Sequence, residues 1–306
     1  MKFLLFRGYK FKGYMAVFAS ALCFGSYGVW SKLLGGEFGI YSQGWVRSAI
    51  ILLILIPLGL WTKAFRRIDR QDWRLFIPTI VFTVFTIAPI FYAFNHLSLG
   101  TATLIFYGLF LLTTYLIGWI VMRERMTVIK LIAFGLAIVG LFITFGLSLA
   151  VFSVLALFLA ALNGVASGGE VAFSKLVTEK YSTIQVTAMS WASVMVTHFI
   201  MAIVTQEPFV PLSLNNAWIG MLAFAVLALA GFWLVVEGFK YIDASIGGLI
   251  GLTEIIFSIG FGLVLFHQPL TSSIIIGGVF ILMAGILPDL AALFRREKPV
   301  PLPSPL

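Results

Sequence analysis

Five of the ionisable residues in long apolar segments of the sequence are the first candidates for chemistry. They are Arg47, Glu170, His198, Glu237 and Glu254. An ionisable side chain is costly inside a membrane, so it normally faces a cavity or a partner and marks a route for substrates, ions or protons. These residue types therefore predict binding of charged groups and movement of protons.

Glu254 carries the sharpest prediction. It lies near the middle of an apolar segment, 244–266, at a depth of about 16 Å in a hydrocarbon core of roughly 30 Å. Burial favours the neutral form of a carboxyl group, so Glu254 is expected to exchange a proton or to bind a substrate ammonium. The alternative is a protonated carboxyl that donates to a nearby backbone carbonyl. Small residues share its helix face and leave room beside it: Gly247, Gly251, Ser258 and Gly262.

The other two acids lie nearer to the cytoplasmic ends of their segments. Glu170 and Glu237 are predicted to take part in substrate binding or coupling. The alternative is that each reaches interfacial water or a basic neighbour, since Lys240 follows Glu237 at i+3. In the repeat described below, Glu170 corresponds to Tyr27, so this carboxylate breaks the symmetry between the two halves.

Arg47 and His198 each have two interpretations. Arg47 is a candidate to bind a substrate carboxylate with paired hydrogen bonds; alternatively it extends to the interface or pairs with Glu37. His198 could relay protons or serve as a hydrogen-bonded structural histidine. Some aromatic residues are candidates for stacking on a substrate, although interfacial belts also account for Trp and Tyr: Tyr92, Phe106, Tyr107, Trp191 and Trp233.

The composition decides the class of protein. Of 306 residues, 61% are apolar and 10% are charged, against about 45–50% and about 25% in soluble domains. This excludes a soluble globular protein, and long apolar runs without period-two alternation exclude a β-barrel. The net charge of +8 indicates basic cytoplasmic loops rather than nucleic-acid binding.

No catalytic or cofactor motif accompanies the ionisable residues. The sequence has one cysteine, Cys23, and no Cys/His cluster, which argues against a metal site. It contains no Walker segment, no His-Glu-x-x-His pair and no Gly-x-Ser-x-Gly turn. We therefore expect no cofactor, no metal and no enzymatic activity.

Ten apolar segments are long enough to span a membrane, since each span needs about 20 residues. With the N-terminus in the cytoplasm, every lysine and arginine except Lys32 and Arg47 falls on the cytoplasmic side. The positive-inside rule thus predicts an even number of spans with both termini cytoplasmic. The predicted spans are 13–34, 41–61, 74–97, 100–122, 127–146, 148–175, 184–205, 216–239, 244–266 and 271–292.

The two halves of the chain echo each other at an offset near 143 residues. Trp30-Ser31-Lys32-Leu33 is echoed by Phe173-Ser174-Lys175-Leu176, and Met126-Thr127 by Leu270-Thr271. Because five spans are an odd number, the second half enters the membrane from the opposite face, as in many alternating-access transporters. We predict an all-α membrane protein whose ten transmembrane helices form two inverted five-helix repeats, 1–146 and 147–294, followed by a disordered cytoplasmic tail, 295–306.

Glycine and proline predict local breaks in these helices. Pro89, beside Thr86, predicts a kink in the third span. Glycines predict interrupted segments at corresponding points of the first and sixth spans, a pattern typical of a binding region, with close helix packing as the alternative: Gly25 and Gly28, and Gly164, Gly168 and Gly169.

With these features in place, the chain resembles the EamA-type family of the drug/metabolite transporter superfamily. The resemblance implies a ten-helix carrier of small metabolites with a central cavity between the repeats. It covers nearly all of the predicted spans, and the residues that carry it are Cys23–Lys32, Tyr92-Ala93-Phe94, Arg123–Thr127, Gly238–Tyr241, Thr253-Glu254-Ile255 and Gln268–Thr271.

The predicted function is a secondary transporter in the plasma (inner) membrane, most simply an amino-acid exporter that works by alternating access, with proton coupling as an option. The expected partners are a small-molecule substrate, lipid and protons, and the protein is a monomer or a homodimer. Uptake of a sugar or nucleotide-linked metabolite, or flipping of a lipid-linked group, stays open within the same class. An intramembrane enzyme and a non-transporting scaffold are the alternatives from other classes.

Overall fold

A computed structural model describes residues 2–121, 123, 127–148, 153–239, 241 and 250–294, and the regular structure in these residues is helical. The predicted tail lies outside the described residues. The helices are α1 (Lys2–Gly25), α2 (Tyr27–Leu34), α3 (Ile40–Trp61), a 3-10 turn (Arg70–Asp72), α4 (Trp73–Val84), α5 (Ala88–His96), α6 (Leu99–Ile120), α7 (Val128–Ser148), α8 (Val154–Thr178), α9 (Thr183–Val204), α10 (Asn216–Phe239), α11 (Thr253–Phe266) and α12 (Ser272–Phe294).

These helices supply ten membrane spans. Seven helical segments in the described part are long and apolar enough to cross a membrane, with α1 and α2 forming the first span and α4 and α5 the third. Three shorter apolar helices, 128–144, 253–266 and 272–288, complete the set. Each predicted span is thus matched by a helix, and the predicted all-α membrane fold is confirmed.

Corresponding helices of the two halves end in the same way, with a residue in the left-handed conformation. Among the described residues, four other than glycine have positive φ: Lys63 at 52°, Arg123 at 55°, Gln206 at 55° and His267 at 50°. A left-handed residue ends a helix by turning the chain away while its neighbours bond the last carbonyls. Lys63 and Gln206 follow α3 and α9, whereas Arg123 and His267 follow α6 and α11. Their spacings, 143 and 144 residues, equal the offset of the sequence echoes.

The packing between helices repeats as well. α3 packs on α9 and α7 on α12, while α1 packs along α10 as α8 packs along α4 and α5. Ser20 Oγ of α1 donates to Gly231 O of α10 at 2.8 Å, and Asn163 Nδ2 of α8 donates to Thr86 O at 2.6 Å. Repeat-related side chains therefore bind repeat-related carbonyls, as expected for two inverted five-helix repeats.

The predicted breaks are only partly present. The first span breaks at Ser26, and the third breaks between α4 and α5 with Pro89 in the first turn of α5. The kink predicted at Pro89 is confirmed. The interruption predicted for the sixth span is wrong, because α8 is continuous. Gly164 and Gly168 serve close packing instead: a Cβ on either would meet a backbone carbonyl of α6 at less than 3 Å.

At one end of the bundle, ionic contacts join the two repeats. We call this end the basic face and define it as residues 62–72 and 179–182. Lys180 Nζ lies 2.8 Å from Asp69 and 2.6 Å from Asp72, so the turn before α9 is held to the start of α4. Hydrogen bonding to these two carboxylates raises the pKa of Lys180 above its ordinary value. The basic face is thereby tied across the two repeats.

The opposite end of the bundle is tied by a helix cap. Glu207, which follows α9, accepts hydrogen bonds from the backbone N–H groups of Tyr41 and Ser42 at 3.0 and 2.7 Å. A carboxylate at a helix N-terminus satisfies free donors and opposes the positive end of the helix dipole. α3 and α9 are thus joined at this end across the two repeats.

Candidate functional site

Arg47 lies at the centre of the bundle, two turns into α3. Its side chain is 1% exposed, which excludes an extension to the interface. Four aromatic rings surround the guanidinium carbon, with centroids 4.4 to 5.2 Å away. Each such contact stabilises a cation by about 0.5–2 kcal/mol. We call these rings the aromatic cage: Tyr27, Phe91, Trp191 and Phe224.

The hydrogen bonding of Arg47 is incomplete. Nε and Nη1 are buried and have no partner among the described residues, and Glu37, the predicted partner, is exposed at the protein surface. A buried donor without an acceptor costs about 1–3 kcal/mol. Because guanidinium donors match carboxylate and phosphate groups, the cage holds a cation whose hydrogen bonds a bound anion would complete.

The aromatic cage is built by both repeats. Tyr27 and Phe91 belong to α2 and α5, and Trp191 and Phe224 belong to α9 and α10. Tyr27 is the first residue after the break at Ser26, and Phe91 lies in the helix that follows the break in the third span. The two breaks of the first repeat therefore lie next to the cage.

Glu254 lies in the first turn of α11 and accepts a hydrogen bond from Tyr107 Oη of α6 at 2.6 Å. One turn further, the hydroxyls of Thr103 and Ser258 lie 2.6 Å apart. These contacts join corresponding helices of the two repeats. A Cβ at Gly25, two residues before Tyr27 of the cage, would lie 3.1 Å from the backbone oxygen of Glu254. Gly247, expected on the face of Glu254, lies outside the described residues.

Glu170 forms a second polar group, away from the cage. Its Oε1 lies 2.8 Å from Thr83 Oγ1 of α4, which is itself 3.3 Å from Ser190 Oγ of α9. Thr83 and Ser190 are 3% and 8% exposed. Glu170 thus joins hydroxyl groups from two neighbouring helices, and no basic residue pairs with it in the described part of the chain.

His198 is packed in the interface between α3 and α9. It is 2% exposed, its ring lies edge-on to Tyr41 at 5.7 Å, and Nδ1 is 3.4 Å from Thr197 Oγ1. A Cβ at Gly44 would overlap the ring. In the described residues no acid or base hydrogen-bonds to His198, and its buried Nε2 has no hydrogen-bond partner. The close packing agrees with a structural role, although the ring is not fully hydrogen-bonded by the described residues.

The remaining candidates are not gathered at the cage. Glu237 accepts from Tyr241 Oη at 2.9 Å near the end of α10. Tyr92 stacks on His96 at 4.0 Å. Trp233 is 61% exposed and shares a helix face with exposed apolar residues of α10, so it faces outward and the expectation that it lines a substrate site is corrected. Phe106 packs edge-on against Tyr107 at 4.8 Å.

Sequence reasoning left Phe91 and Phe224 unnamed, because a phenylalanine has no polar atom that distinguishes it from the rest of the 30 phenylalanines in the chain. Thr83 and Ser190 were also missed. A search for hydroxyls at helical spacing on the spans that flank Glu170 would have found them. As for metals, the described residues contain no group of three His, Cys, Asp or Glu side chains that could hold an ion.

Comparisons with known proteins agree with this architecture. A family model described as the EamA-like transporter family matches residues 11–146 and again residues 154–287. No curated protein shows a significant match to the chain. A solved structure described only as "Crystal structure of protein" is 16% identical, has a TM-score of 0.65, and aligns over 93% of this chain and 99% of its own. At this identity the likeness shows the fold alone.

Proposed function

The chain belongs to the EamA-like transporter family, and from this premise we propose that it exports an amino acid or a related small zwitterion by alternating access. Family membership makes it a membrane transporter of small molecules. The substrate, the direction and the mechanism are argued from the arrangement around Arg47 and Glu254.

The aromatic cage is the observation that carries the proposal. Two of its rings come from each repeat, so rocking of one repeat against the other separates Tyr27 and Phe91 from Trp191 and Phe224. Arg47 then becomes accessible from one side of the membrane. A substrate carboxylate supplies the acceptors that Nε and Nη1 lack. The rings then close around the ion pair, and the cage opens towards the opposite side of the membrane, where the substrate is released.

Glu254 supplies the complementary charge. An amino acid carries an ammonium group beside its carboxylate, and the backbone of Glu254 packs against α1 at Gly25, two residues before Tyr27 of the cage. The hydrogen bond from Tyr107 holds the carboxylate in one orientation, which reduces the entropy lost on binding. Arginine and glutamate together select a zwitterion over a simple anion or cation.

The distribution of basic residues supports an orientation. The basic face carries Lys63, Arg66, Arg67 and Arg70 between α3 and α4. The positive-inside rule supports a cytoplasmic basic face and, with an even number of spans, two cytoplasmic termini. Export then begins with binding from the basic face.

Counterflow uptake in proteoliposomes tests the proposal. Vesicles are preloaded with a mixture of unlabelled amino acids, and entry of one labelled amino acid at a time is measured for the unmodified protein, Glu254→Gln and the exposed-site control Glu37→Gln. Loss of a charge-assisted contact of about 1.5–3 kcal/mol weakens substrate binding by about 10–150-fold. We therefore expect uptake of one class of amino acid that Glu254→Gln loses and Glu37→Gln retains. If folded protein takes up none of the amino acids, the proposed substrate class is refuted, and sugars, nucleotide-linked metabolites or lipid-linked groups are favoured.

A further inference from the structure

In the cluster of Glu170, Thr83 and Ser190, the hydrogen bonds that can form depend on whether the carboxyl group of Glu170 is protonated. Thr83 Oγ1 lies 2.8 Å from Thr79 O and 2.8 Å from Glu170 Oε1. A threonine hydroxyl has one proton to donate. If that proton bonds the carbonyl of Thr79, the contact with Glu170 forms only when Glu170 is protonated and donates to Thr83.

The surroundings of Glu170 favour the protonated state. No lysine, arginine or histidine pairs with its carboxyl group among the described residues. The charged and titratable groups on α8 and on the helices packed against it have other positions or partners. Arg70 and Arg74 precede Thr83 by more than two helical turns, His198 follows Ser190 by two turns, and Lys175 follows Glu170 by five residues. Asp72 pairs with Lys180, Tyr92 stacks on His96, Tyr107 donates to Glu254, and Tyr115 donates to Ala284 O. An ionised carboxylate among hydroxyls in a membrane core, without a cation, is costly.

The cluster lies on an interface that rocking would open. Thr83 belongs to α4 of the first repeat, whereas Glu170 and Ser190 belong to α8 and α9 of the second. Separation of α4 from α8 removes the Thr83 hydroxyl from the carboxyl group and admits water, which favours ionisation. Protonation of Glu170 is therefore linked to the relative position of the repeats, and linkage of this kind is reciprocal.

The repeat adds a second argument. Glu170 occupies the position of the second repeat that corresponds to Tyr27 in the first, at the offset of 143 that also relates Lys63 to Gln206. In one repeat this position holds a ring of the cage around Arg47, and in the other it holds a carboxyl group. The two related positions thus have different roles: Tyr27 contacts the cation of the substrate site, and Glu170 binds a proton.

We propose that Glu170, with Thr83 and Ser190, is the proton-binding site that couples transport to a pH gradient, separate from the substrate site at Arg47 and Glu254. This inference rests on the proposed function. Glu170 takes up a proton when α4 and α8 are together, as in this structure, and releases it when they separate. No other co-reactant is required, since the proton leaves to water.

The first test does not require transport. Infrared difference spectra of the purified protein in lipid are recorded during a pH titration, and the band of a protonated carboxyl group is followed in the unmodified protein, Glu170→Gln and Glu179→Gln, an exposed acid at the end of α8. We expect a band that disappears in Glu170→Gln, persists in Glu179→Gln, and shifts to higher frequency in Thr83→Val because a hydrogen bond is lost. A spectrum of Glu170→Gln that matches the unmodified protein overturns the proposal.

The second test separates coupling from transport. Counterflow, which needs no gradient, is compared with accumulation driven by a pH gradient in the same vesicles. One proton exchanged per substrate sustains about tenfold accumulation for each pH unit. We expect Glu170→Gln to retain counterflow and lose this accumulation. Accumulation by Glu170→Gln equal to that of the unmodified protein overturns the coupling role. Absence of counterflow in the unmodified protein refutes the proposed function instead, and the infrared experiment then tests proton binding by Glu170 independently.

Discussion

Arg47→Met, a substitution in the aromatic cage, gives the sharpest prediction. Methionine fills a similar volume without charge, and replacing a buried charge by an apolar side chain is often neutral or stabilising. The variant removes a guanidinium whose Nε and Nη1 lack protein partners. One charge-assisted hydrogen bond to a substrate carboxylate is worth about 1.5–3 kcal/mol, so loss of one such bond weakens binding by about 10–150-fold and loss of two by about 150–20,000-fold.

Ligand competition measures this loss with its own internal control. Counterflow of the labelled substrate is inhibited by the amino acid and, separately, by its decarboxylated amine. The unmodified protein is expected to prefer the amino acid by at least about tenfold, which corresponds to about 1.4 kcal/mol. Arg47→Met is expected to bind the two compounds with similar affinity, because the amine lacks the group that Arg47 contacts.

Arg47→Lys is the matched variant. It retains the charge but not the planar donors, so it should regain part of the preference for the carboxylate. If Arg47→Met discriminates between acid and amine as well as the unmodified protein does, the guanidinium is not the carboxylate partner and the reasoning from its free donors is refuted.

Three further predictions concern packing and the basic face, each measured by thermal unfolding in detergent. Asn163→Ala leaves the carbonyl of Thr86 without its donor and should lower the unfolding free energy by about 1–3 kcal/mol; an unchanged midpoint would contradict the role given to this hydrogen bond. Gly168→Ala brings a Cβ against the carbonyl of Phe110 and should destabilise by about 1–3 kcal/mol, while Gly135→Ala, whose Cβ meets nothing within 4 Å, should leave stability nearly unchanged. Lys180→Met should lower the midpoint at neutral pH. Because the pKa of Lys180 is raised in the folded state, its contribution to stability is complete at pH values below the pKa of lysine in the unfolded chain and is lost only as the pH rises through the folded pKa. If the difference in midpoint between Lys180→Met and the unmodified protein disappears as the pH is lowered from alkaline to neutral, the assignment is contradicted.

The architecture could be predicted because its signals are local. Apolar runs fix the spans, and basic residues fix their alternation, since both follow from transfer of single side chains into lipid. The repeat was detectable at an offset of 143 in short echoes such as Trp30-Ser31-Lys32-Leu33, and the backbone at Lys63 and Gln206 repeats it independently. Pro89 was informative for the same reason, because a missing donor breaks a helix wherever the helix packs.

The candidate site was only partly predictable because its members meet through packing. Arg47 and Glu254 stood out as charges in apolar segments, yet the choice of Glu37 as a partner for Arg47 ignored that aromatic rings can surround a cation. From sequence Gly168 was compatible with a break or with close packing, and only the contact between α8 and α6 decides for packing. Trp233 was selected by residue type, whereas its helix face decides that it points outward.

The central claim is that the two repeats move against each other around the aromatic cage, and distance measurements between spin labels test it most directly. In a Cys23→Ala background, one pair of labels replaces the exposed residues Gln71 and Glu179 on the basic face, and a second pair replaces Gly36 and Leu214 at the opposite end. Distances are recorded with and without the substrate identified by counterflow. The account predicts that one distance increases while the other decreases when substrate is added. Two distances that stay fixed, or that change in the same direction, in a protein that performs counterflow would contradict it.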